Sequence, residues 1–192
     1  MRRLILLAIT AILILPATAS VCLAEIEADV DDVRLMLTAP DNQDFSIFES
    51  ESLANALVEI IEDDPVDADY HDRVVAGALV VLGEMHPPDT VDVFIGKLDE
   101  YTTTCLYWLG TFASPDAVEA IAGYLDNDKP SIRYEAASAL GTVPLADIDE
   151  ENENEELTEA LNSATEILQA RLEVEEDESV LEALREAIAH IE

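Results

Sequence analysis

Lysine is nearly missing from this sequence: Lys97 and Lys129 are the only two, and nine bases in all face 43 Asp and Glu residues. A chain so poor in cations repels phosphate backbones and anionic lipid surfaces, which argues against nucleic acid and against electrostatic membrane docking. Aromatics are scarce at 5%, while hydrophobic residues, chiefly Ala, Leu, Ile and Val, reach 49%. That balance excludes a disordered acidic tail and favours helices packed through small and aliphatic side chains. Cysteine is limited to Cys22 and Cys105. If Cys22 leaves with an N-terminal leader, no intrachain disulfide can form. Cys105 stands in the apolar run Cys105-Leu106-Tyr107-Trp108-Leu109 and reads as a small core hydrophobe. The three histidines, His71, His86 and His190, share no helical face with one another or with a cysteine at metal-ligand spacing. Nucleophile-elbow, phosphate-loop and zinc-protease motifs are likewise missing. The sequence therefore assigns no catalytic residue, no cofactor and no metal site, and reads as a non-enzyme.

The one long uncharged run lies at the start. Met1-Arg2-Arg3 precedes Leu4 to Leu15, Pro16 breaks the run, and Ala17-Thr18-Ala19-Ser20 follows. A positive start, a short apolar core and small residues predict a signal peptide over residues 1–24, cut after Ala19 or Ala24. The protein is then exported, periplasmic or extracellular. The alternative is an uncleaved anchor through residues 4–24, the only route by which this chain would engage a membrane. Val21 before Cys22 departs from a lipoprotein signal. Loss of the leader removes Arg2 and Arg3 but no acid, and so deepens the net charge of −34 by two.

Beyond the leader the sequence repeats. Val81-Leu82-Gly83-Glu84-Met85, Trp108-Leu109-Gly110-Thr111-Phe112 and Ala139-Leu140-Gly141-Thr142-Val143 share one pattern, at offsets of 27 and 31 residues. Pro88 to Asp99 matches Pro115 to Asp126 at the same offset of 27. Val91, Phe94, Ile95 and Leu98 form one helical stripe, which Val118, Ile121, Ala122 and Leu125 repeat. Pro88-Asp89 and Pro115-Asp116 supply a turn and an N-cap candidate. Pro130 is placed to open the next helix, with Ile132, Ala136 and Leu140 inward and Gly141 as its stop. Helix, turn, helix, glycine is a unit that buries its stripe only against neighbours.

Ser114 to Val143 resembles a HEAT-like repeat of the short, phycobilisome-lyase type. The likeness rests on Pro115-Asp116-Ala117-Val118, an acidic turn, Ile132-Arg133, and Ala136 with Ala139-Leu140-Gly141. It extends over roughly residues 50 to 192, through Leu53, Leu57, Ile60 and Ile61 upstream and Val180, Leu184, Ile188 and Ile191 downstream. The resemblance implies an all-α fold, an α-α superhelix or short solenoid of about four helix pairs. Residues 25–45 read as a capping helix and loop, and 46–192 as the repeat domain. An acidic insertion falls at about 146–156.

That insertion, Asp147 to Glu156, alternates carboxylates somewhat as a calcium loop does but lacks the loop's glycine and closing glutamate, and reads as solvated. The resemblance implies a protein-binding scaffold whose concave face, lined by the first helix of each pair, meets the partner. Asp92, Lys97, Glu119 and Tyr124 are the partner-binding candidates, with Glu59 and Asn162 also facing outward. Tyr124 among acids would suit a basic partner with an apolar anchor. The alternatives are a divalent-cation-binding or salt-adapted acidic envelope protein, or the scaffold subunit of an enzyme complex.

Overall fold

The computed structural model describes residues 26–39, 44–62, 68–87, 89–143 and 155–192, with side chains throughout except at 68–71. The segment expected to be a leader, Pro88, and the acidic run up to Asn154 lie outside the described residues. Among the described residues nine α-helices follow in order: α1 (Val30–Thr38), α2 (Ser50–Glu62), α3 (Ala68–Met85), α4 (Val91–Gly96), α5 (Thr102–Leu109), α6 (Pro115–Ala122), α7 (Pro130–Leu140), α8 (Glu155–Leu172) and α9 (Glu178–Ile191). The expected all-α class holds. The described residues contain no strand, only an isolated bridge between Ile26 and Phe48.

Local chemistry accounts for where the helices begin. Asp29 caps α1 by accepting from the Asp31 amide at 3.0 Å, and Asp177 caps α9 through Ser179 and Val180 at 3.0 and 3.2 Å. Pro115 and Pro130 stand in the first turns of α6 and α7, where a missing N–H costs nothing. The caps fall on other residues than expected. Ser114 and Thr90, not Asp116 and Asp89, are the N-cap residues, and Asp116 falls inside the first turn of α6. There its carboxylate still complements the helix dipole.

The helices pack as pairs and as rows. α2 lies on α3, α4 on α5, α6 on α7 and α8 on α9; α2, α4, α6 and α8 also touch in succession, as do α3, α5, α7 and α9. α1 covers α2 and α3. One apolar core runs through all of them, and Phe94, Ile121 and Leu140 are fully buried within it. Ile132, expected inward, is only half-buried, and its neighbour Arg133 goes in instead.

Gly141 ends its helix as expected, and Gly110 does the same for α5, but the glycines of the repeated Leu-Gly pairs have a further task. None has a positive φ; Gly110 and Gly141 cap their helices in the right-handed region at φ −63° and −71°. What they permit is close approach. A Cβ on Gly83 would overlap the Trp108 indole, one on Gly110 would lie 2.6 Å from the Ala139 carbonyl oxygen, and one on Gly141 3.2 Å from Ala187 Cα. Each of these three glycines is thus a notch for the next helix of the row α3, α5, α7, α9. The left-handed turn after α3 falls to His86, at φ 49°. Its ring packs on Phe112 at 4.9 Å and edge-on to Trp108 at 6.0 Å.

Candidate functional site

In the crease between α6 and α8 opens a cleft of about 680 Å³, walled by Asp116 and Glu119 from α6 and by Glu156, Glu159 and Glu166 from α8. Asn162 and Ser163 add neutral polar groups; among the described residues no lysine, arginine or histidine lines it. Glu166 also borders a second cleft, about 460 Å³, formed with Asp126, Ile167, Ala170, Arg171 and Val174. A third, about 340 Å³, lies between the starts of α4 and α6, where Asp92 and Asp89 meet Asp116 and Phe112.

A buried ionic knot sets how α8 sits against α6 and α7. Arg133 grips Glu175 with two bonds, Nε to Oε2 at 2.7 Å and Nη2 to Oε1 at 2.8 Å, and its Nη1 donates to the Asn127 and Asp128 carbonyls at 2.8 and 3.2 Å. Arg171 adds Nε and Nη2 to Glu175 Oε2, both at 3.0 Å, and the Glu176 and Asp177 amides close on Oε1 at 3.0 Å. Glu175 is only 9% exposed. The Arg133 guanidinium, helped by those amides and Arg171, outweighs burial and holds its carboxyl far below the usual carboxylate range. The Arg133 guanidinium is pushed up in turn by the Glu175 hydrogen bonds. A planar fork matched to a planar carboxylate is the arrangement that offsets the desolvation of both charges.

The four residues picked from sequence separate into two kinds. Asp92 and Glu119 are exposed and line acidic clefts, as does Asn162. Lys97 is half-buried, with Nζ 3.8 Å from Glu100. Tyr124 is half-buried rather than a free apolar anchor: its hydroxyl donates to Asp99 Oδ1 at 2.8 Å. Burial first, and then that bond, push the phenol up to about 12. Periodicity places Tyr124 on the outward face but is blind to the carboxylate arriving from the unit before it.

Cys105 is fully buried, and desolvation raises its thiol to about 12, so it remains protonated at neutral pH. His190, at the end of α9, reaches the Val143 carbonyl with Nε2 at 3.3 Å and ties α9 to the end of α7. Among the described residues no group of His, Cys, Asp and Glu is placed to hold a metal ion. No described helix is long and apolar enough to cross a membrane. No protein-family model, curated protein or solved structure matches the chain.

Proposed function

We propose that this chain is an exported, non-enzymatic protein-binding scaffold, a short HEAT-like solenoid of four helix pairs whose first-helix face receives a basic partner. The succession of pairs in two rows supports the solenoid reading. The observation that carries the binding reading is the cleft between α6 and α8, where five carboxylates converge without a cation. Two packed helices fix the backbone positions from which these carboxylates project, so a basic segment meets a charge pattern already gathered. Carboxylates, an amide and a hydroxyl attract and orient cations; the one described thiol is sealed in the core. Speed of encounter benefits as well, because the field of the whole chain steers basic proteins toward it.

The test is capture from an envelope extract by the purified protein, alone and with Glu119→Lys and Glu159→Lys combined. Capture of a basic protein that drops more than about ten-fold in the reversed variant, with helicity unchanged, supports the reading. Equal capture by both proteins refutes it. Sequencing the N-terminus of protein recovered outside the cytoplasm checks export, with Ser20 or Glu25 as the expected first residue. Salt adaptation is the second reading, favoured by the ratio of 43 acids to nine bases. Melting that rises strongly with salt, with no basic protein captured, would favour it instead.

A further inference from the structure

The acidic cleft does not end at Glu166. Glu156, Glu159, Ser163, Glu166, Ala170 and Val174 follow at steps of three and four and form one stripe along α8 and the turn after it. Along that stripe the chemistry changes from carboxylate to hydrocarbon. At the far end Ile167 and Val174 stand 38% and 65% exposed, large apolar side chains beside the groove. Arg171 lies there too, but its guanidinium is engaged by Glu175 and Asp126, so it does not oppose an incoming cation. From Glu156 to Arg171 the groove is about 23 Å long at the rise of a helix, room for about seven residues of extended chain.

We infer that this groove reads a two-part segment of a partner protein: a short run of Lys or Arg seated between Asp116, Glu119, Glu156 and Glu159, joined to apolar side chains that cover Ile167, Ala170 and Val174. The inference rests on the binding reading above and adds what the partner must contain. Charge complementarity selects the basic half, and the exposed apolar end selects the other. A second copy of this chain is a poor occupant, because after Arg3 no two bases stand side by side in the sequence. Neither half alone fills the groove.

Fluorescence anisotropy with the purified protein tests this, using a labelled lysine-rich peptide and the same peptide extended by a leucine-containing segment. The extension should tighten binding about ten-fold, the scale expected for covering two apolar side chains. Ile167→Ser with Val174→Ser, both at exposed positions, should abolish that gain and leave the lysine-rich peptide binding as before. An extension without effect, or a gain that survives the double variant, overturns the inference while leaving the basic-partner reading intact. Glu119→Lys with Glu159→Lys should weaken both peptides; if neither weakens, the basic-partner reading itself fails. Dimers of the chain that the double serine variant abolishes and neither peptide disrupts would assign the groove to a second copy, and would also overturn it.

Discussion

The second-helix row is joined by rings at one end and by charges at the other. Between α3 and α5, His86 and Trp108 meet edge-on, Phe112 lies against His86, and Phe94 stands 5.8 Å from Phe112. Between α7 and the turn into α9, Arg133 and Glu175 form a buried pair with Arg171 on its rim. When Leu82-Gly83 of α3 is laid on Leu140-Gly141 of α7, Val75 occupies the place of Arg133. With no cation to bury there, α3 meets α5 through aromatic side chains. The contrast teaches that one repeat architecture tolerates two kinds of joint, differing in what weakens them. The contact of Phe94 with Phe112 involves no titratable group, whereas the knot depends on a carboxylate remaining ionised.

The largest effect should come from breaking the charged joint. Glu175→Gln leaves Arg133 buried without its counter-charge and should cost about 3–5 kcal/mol in urea unfolding at neutral pH. The same variant sharpens the contrast when pH is varied. The folded carboxyl sits far below the ordinary glutamate value of 4.5, so below that value the unfolded chain binds the extra proton. The knot's contribution is therefore complete above about pH 4.5 and is lost as pH falls toward the folded value, and the gap between native and Glu175→Gln should narrow there. Phe94→Ala, in the aromatic joint, should cost about 3–4 kcal/mol with a gap that stays flat over the same pH range. A Phe94→Ala gap that narrowed in acid as the Glu175 gap does would remove the distinction. Gly110→Ala drives a methyl at the Ala139 backbone and should cost about 1–3 kcal/mol by thermal melting. Tyr124→Phe removes one half-exposed hydrogen bond and should cost no more than about 1 kcal/mol.

Much of this fold is legible in sequence because it is written locally. The stripe Leu53, Leu57, Ile60 and Ile61, the proline opening α7 and the downstream stripe through Val180 and Leu184 all lie where periodicity puts them. Stripes are readable when a helix buries one face against neighbours. What escapes is what depends on a distant partner. Arg133 could be seen as a motif residue, yet its acceptor lies 42 residues on, one carboxylate among 43. The Leu-Gly glycines are read as helix stops, because a notch is visible only once the opposing helix is in place. The candidate site divides the same way: Glu119 and Asp92 follow from helical phase. The second wall, Glu156, Glu159 and Glu166, requires knowing that α6 lies beside α8.

The three glycine notches bear on how such a chain can change over generations. Each receives a different key: an indole, a backbone carbonyl and an alanine Cα. Units that look alike in sequence are therefore not exchangeable parts. Deleting or duplicating one, as repeat arrays often tolerate, would set Trp108 or Ala187 against a notch shaped for something else. Lengthening this array would mean redesigning the contact at each new boundary.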